Sequence, residues 1–163
     1  MSNVLIGIIG VILFIGLALA GALFLGPRFQ EATTSSKAAA SVQVMKQIAD
    51  AANLYSIQEG VPAVAGYPNT LGSYLKATPA NPTGGYNPDL HSIDGNFTGR
   101  AVYSVMEIRD EKVCASINKS LGNPVGETVP DLPDYPSWNG GCFRQSAQKG
   151  NNPPGVLVGF MRI

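Results

Sequence analysis

What this chain lacks narrows it first. No charged side chain occurs before Arg28, and over all 163 residues only 13% are charged, about half the share usual in globular domains. The 11 basic and 11 acidic residues cancel. Nucleic acid calls for a basic face, so no nucleic-acid partner is predicted. There is one histidine, His91, and there are two cysteines, Cys114 and Cys142. Two cysteines permit one disulfide and make no zinc site without other ligands. A Ser-His-Asp or Cys-His hydrolase would have to be built around His91, whose neighbours Asp89 and Asp94 read as ordinary turn formers beside a solvated imidazole. Asp110, Glu111, Asp131 and Asp134 are possible oxygen ligands for calcium but lack EF-hand spacing, and read as solvated loop carboxylates. No glycine-rich phosphate loop follows a strand. These absences describe a protein that is not an enzyme, with no catalytic residues, no metal and no cofactor.

What is present begins with Val4–Leu25, an unbroken run of 22 apolar, glycine or alanine residues. As a helix it is roughly 33 Å long, enough to cross the hydrocarbon core of a bilayer. Its small residues, among them Gly7, Gly10, Gly16, Ala20 and Gly21, include glycines that weaken a helix in water. In a lipid-like environment small residues let helices approach closely. Together with Leu5 they are assigned to packing against other helices. Nothing basic precedes the run, and Arg28 and Lys37 follow it, which would place the large domain in the cytosol if Met1 were the initiator. Two widely spaced cysteines suit an oxidising compartment instead. The two signals agree if a basic leader is removed and Met1 is a mature N-terminus.

After Gly26 and Pro27 the pattern changes. Gln30–Glu59 contains no Gly or Pro, and Val42, Met45, Ile48, Ala49, Ala52 and Tyr55 recur at helical spacing as one apolar stripe. Ser41, Gln43, Lys46, Gln47, Asp50 and Asn53 are placed on the other faces. Gly60 suits the position just past the helix end, and Pro62 prevents continuation. Gly26 and Pro27 are the predicted break, where the helix kinks or melts on assembly. The chain divides into an apolar half-helix at 1–27, an amphipathic half-helix at 28–60 and a globular head at 61–163. In the head, 61–99 reads as mostly loop and Arg100–Ile108 as a strand. Asp110 caps a helix over Glu111–Leu121 that Gly122 closes. Asn123–Gly141 reads as proline-rich loop and Gly155–Ile163 as a terminal strand. The predicted class is α+β, a small antiparallel sheet covered by the amphipathic stripe. Asn96-Phe97-Thr98 and Asn118-Lys119-Ser120 match the glycosylation sequon, and both read as chance matches. Trp138, with Tyr135 and Pro136, reads as packing over its own loop.

This arrangement resembles the type IV pilins, specifically the type IVb branch. The resemblance rests on the apolar helix with a central proline and its amphipathic half at Ser41–Tyr55. It rests also on a capped helix carrying Cys114 in Glu-Lys-Val-Cys-Ala-Ser-Ile-Asn, and on Gly140-Gly141-Cys142-Phe143 before a last strand ending Phe160-Met161-Arg162-Ile163. It spans essentially the whole chain as an architecture. What it implies is a preprotein cleaved by a prepilin peptidase, an N-methylated Met1 and a helical homo-oligomer. An inner-membrane pool of subunits would feed a pilus assembly machinery that builds an extracellular pilus, or fimbrium, of the kind used in cell adhesion. The alternatives are a minor pilin, a secretion-system pseudopilin, or a membrane-tethered periplasmic binding domain that never polymerises. In the resemblance Cys114 and Cys142 pair, with the disulfide region at 114–142 making a bonded C-terminal loop. One position departs from the family: an acid usual at the fifth mature residue is Leu5 here, and no carboxylate occurs before Glu31. A cationic terminal amine would then rely on the oxygens of Ser2 and Asn3, or on carbonyls freed near Gly16–Pro27.

Overall fold

The computed structural model describes residues 2–63, 71–77, 79–92, 101–124, 128–132, 137–147 and 153–163, with the backbone alone for Ser2, Asn3, His91, Ser92, Ala101 and Val102. The elements are α1 (Ser2–Glu59), β1 (Asp89–Ser92), β2 (Ala101–Ile108), α2 (Glu111–Ser120), β3 (Asp131–Leu132), β4 (Gly140–Gln145) and β5 (Leu157–Arg162). Two compact units divide the chain, Met1–Thr34 and Ser35–Ile163, so the boundary falls within α1 beyond Pro27.

The first unit is helix alone. α1 carries through Gly26 and Pro27, since one proline removes a single backbone donor and the flanking Leu, Phe and Ala residues continue the helix. The kink or melting is expected on assembly, and the single chain keeps the helical assignment across both residues.

The second unit is α+β. Its five strands are ordered β1-β2-β5-β4-β3, and β1–β2, β2–β5 and β4–β5 are antiparallel. The sheet is mixed where an antiparallel one was expected, because β3 runs parallel to β4 through Asp131↔Arg144 and Leu132↔Gln145. A two-residue strand has no alternation to read, which is why it was hidden in the proline-rich stretch. β1, inside the region read as loop, is likewise only four residues long. Cys142 lies within β4 and not in a loop.

Strand alternation sends Met106, Ile108, Cys142 and Leu157 to one face of the sheet, where they are buried with Ala38 and Met45 of α1 and Val113, Cys114 and Ile117 of α2. Tyr103, Phe143, Val158 and Phe160 are buried on the other face. There the ring of Phe160 meets Tyr103 and Phe143 edge-on at centroid distances of 5.7 and 5.8 Å. A further cluster joins Ile48, Ala51 and Ala52 to Leu71 and Leu90. The predicted stripe on α1 is buried at Met45, Ile48, Ala49 and Ala52 and half-buried at Val42 and Tyr55, while Gln43, Lys46, Gln47, Asp50 and Asn53 are exposed. Ser41 corrects the reading. It is fully buried, with its hydroxyl donating to the Lys37 carbonyl at 2.8 Å. Its position four residues before Met45 places it on the stripe, and its polarity disguised that.

α1 meets β5 closely at Gly159, where a Cβ would stand 3.2 Å from Met45 Sδ and 3.2 Å from Ile108 Cγ1. Gly60 follows α1 with φ 69°, as the sequence predicted for a left-handed terminating residue.

Candidate functional site

Two features stand out, one in each unit. In the first, every residue from Val4 to Gln30 is exposed except the half-buried Gly21, including Phe14 at 73% and Phe24 at 82%. Among the described residues this is the helix long and apolar enough to cross a membrane. At about 100° per residue, Gly7, Gly10 and Gly21 share one face of it, while Gly16 and Ala20 lie on the opposite one. The predicted packing positions therefore form two small-residue faces rather than a single seam. Added Cβ atoms at Gly7, Gly10, Gly16 and Gly21 would meet nothing within 4 Å, and Leu5 is 63% exposed. Arg28 and Glu31, one turn apart and both exposed, form a 3.6 Å ion pair where the apolar run ends. Met1 and the side chains of Ser2 and Asn3, assigned to the terminal amine, lie outside the described residues.

In the second unit the feature is the join between α2 and β4. Asp110 caps α2 by accepting from the Lys112 N–H at 2.9 Å. The other end is closed by paired bonds, Gly122 N–H to the Lys119 carbonyl and Asn123 N–H to the Asn118 carbonyl, with Gly122 at φ 73°. This is a Schellman closure. It aims the side chain of Asn123 at β4, where Nδ2 donates to the Gly140 carbonyl at 2.7 Å. One turn back, Asn118 is buried and uses both ends of its amide on one residue. Its Nδ2 donates to the Cys142 carbonyl and its Oδ1 accepts from the Cys142 N–H, each at 2.7 Å. Cys142 is also bonded through sulfur to Cys114, with a Cα–Cα separation of 5.3 Å. Gly141 makes room for both amides, because a Cβ there would stand 2.7 Å from Asn123 Nδ2 and 2.9 Å from Asn118 Oδ1.

The remaining candidates are resolved by their surroundings. Glu111 and Asp131, offered as calcium ligands, are brought together but around a guanidinium: Arg144 pairs with them at 3.0 and 3.2 Å. Asp89 accepts from the Leu90 N–H beside it. The His91 side chain, Asp94, Asp134, Tyr135, Pro136 and the sequon at Asn96 lie outside the described residues. The sequon at Asn118 has its amide buried and bonded at both ends to Cys142. Trp138 is half-buried against the Tyr103–Phe160 cluster. Tyr74 donates to Glu59 at 2.7 Å, and this hydrogen bond holds its phenol above the ordinary value of 10.0. Asn118, Asn123 and Arg144 were not legible as a set. The available signals were Gly140-Gly141 before a cysteine and an asparagine four residues after the other cysteine, the spacing of one helical face.

Comparison with protein-family models, with curated proteins and with solved structures finds no match.

Proposed function

We propose that this chain is a structural subunit of an extracellular type IV pilus-like filament, polymerising through its N-terminal helix. The observation that carries the reading is the exposed apolar helix from Val4 to Leu25, in a chain whose other unit buries three apolar clusters of its own. Roughly 25 cal/mol per Å² favours taking such surface out of water, and a bilayer or a bundle of like helices both do so. Before assembly the helix sits in the inner membrane; in the fibre it packs with its copies, and the disulfide-bonded heads form the outer surface. An assembly machinery and a processing peptidase are the implied partners, and no catalysis is assigned.

The glycines give the reading its test. A Cβ added at Gly7 or Gly10 meets nothing within 4 Å in the chain, so a loss of fibres from leucine there points to contact with another molecule. Sheared surface material, viewed by negative-stain microscopy and probed for this chain, is expected to contain thin fibres in the wild type. Gly7→Leu and Gly10→Leu should lose most of them, with Leu5→Ala much less affected. Fibres lost in Leu5→Ala but normal in both glycine variants would reject packing through the small residues. A chain that stays wholly with the inner membrane is a tethered domain and not a filament subunit. The lack of a carboxylate ahead of Glu31 favours, as the second reading, a minor subunit, which would appear in fibres built mainly of another chain.

A further inference from the structure

Cys142 is held to α2 in two independent ways, and the two holds are one helical turn apart. Cys114 and Asn118 are four residues apart on α2 and so lie on the same face. The first reaches Cys142 through a sulfur–sulfur bond, the second through both of that residue's backbone groups. Cys114, Cys142 and Asn118 are all at most 1% exposed. None of the four polar atoms in the amide–backbone exchange can turn to water instead, so breaking it leaves buried groups unsatisfied. Gly141 has no side chain to obstruct the approach, and Asn123 fixes a neighbouring point of the same strand at Gly140. Neither amide contact involves a sulfur atom, so both remain available when the cysteines are thiols.

We propose that Asn118 is the positioning residue for the Cys114–Cys142 bond. In the reduced head its amide holds the backbone of Cys142 on α2 and keeps the two thiols adjacent, so the disulfide closes on a helix–strand pair that is already docked. Oxidation by a small disulfide then proceeds in two exchanges. One cysteine thiolate attacks the small disulfide and expels one thiolate, and the other cysteine attacks the mixed disulfide and expels the second. Two electrons pass from the protein dithiol to the small disulfide, which leaves as two thiols. Without the amide, the second exchange must first find its partner across a separation of 28 residues. A residue that merely stabilised the fold would favour the oxidised and reduced heads equally, leaving the effective concentration of one thiol toward the other unchanged.

The test uses the full chain in detergent micelles, equilibrated in mixtures of oxidised and reduced glutathione, acid-quenched, alkylated and weighed. Asn118→Ala, Asn118→Ser and a comparably destabilising change in a separate cluster, Leu90→Ala, are compared with the wild type. The Asn118 variants are expected to lower the effective thiol concentration by about tenfold or more, the worth of a net buried hydrogen bond, and Leu90→Ala to leave it within about twofold. An unchanged value in the Asn118 variants, or an equal fall in Leu90→Ala, overturns the proposal. A second measurement needs no variant. In the reduced wild-type chain the Cys142 amide hydrogen, whose acceptor is Asn118, is expected to stay protected from exchange at least about tenfold beyond an unstructured amide. Loss of that protection on reduction overturns the proposal as well.

Discussion

The two compact units are made from similar helical material and solve opposite problems. In Ser35–Ile163, a stripe of α1 finds its cover in the same chain: Met45, Ile48 and Ala52 are wholly buried. In Met1–Thr34, side chains at least as apolar remain 49 to 82% exposed from Val4 to Phe29. The difference lies in which faces carry apolar groups. A stripe with polar residues on the remaining faces can be finished by one sheet, whereas a helix apolar all round needs apolar surroundings on every side. The first pattern describes a fold and the second describes a solvent.

The sharpest way to break this comparison is to separate the units. Among the described residues, 35–163 contain every buried cluster, so a chain beginning at Ser35 is expected to fold and to partition almost entirely into water. The full chain should partition almost entirely into detergent or membrane. Phase separation in a nonionic detergent reads both; a soluble full chain, or an aggregated head, would end the contrast.

Within the head, the largest expected loss follows removal of the disulfide. Closing a separation of 28 residues is worth about 3.5 kcal/mol in the chain-entropy model, so the Cys114→Ala/Cys142→Ala chain should unfold at correspondingly lower denaturant. A smaller loss is expected at the helix–sheet contact. Valine at Gly159 must displace Met45 or Ile108, at a cost of about 1 to 3 kcal/mol; the same denaturation curves measure it, and no loss would mean that α1 does not seat closely on β5.

The smallest effect is electrostatic. Tyr74 is half-buried, and its hydrogen bond to Glu59 raises its phenol above 10.0. The folded state favours the protonated phenol, so the contribution is fully present below the unfolded value and is lost as pH rises through the higher folded one. Ultraviolet titration of the tyrosines should show one group moving back toward the ordinary range in Glu59→Gln, with the neutral-pH denaturation midpoint almost unchanged.

Legibility divided along similar lines. The apolar run, the buried stripe, Asp110 as a cap, Gly60 and Gly122 as closures and the strand at β2 were readable because each rests on local chemistry or on a period long enough to count. β1 and β3 were missed because four and two residues carry no usable alternation, and β4 was missed because burial on both faces leaves it no alternation to show. Ser41 misled because its hydroxyl is satisfied by its own helix. The Asn118–Cys142 exchange joins residues 24 positions apart, and nothing near Asn118 in sequence announces a strand edge. What covers the apolar helix is legible in neither the sequence nor the single chain, where its side chains stay exposed.

The paired amides on β4 also bear on how these heads tolerate crowding. Among the described residues β3 covers only the Arg144–Gln145 end of that strand, which leaves the Gly140–Cys142 end as a border where a strand from another molecule could dock. Open borders of this kind nucleate aggregation. Here Asn118 occupies the outward N–H and carbonyl of Cys142, and Asn123 occupies the carbonyl of Gly140. Two side chains thus stand in for a missing strand and are too short to be extended by another.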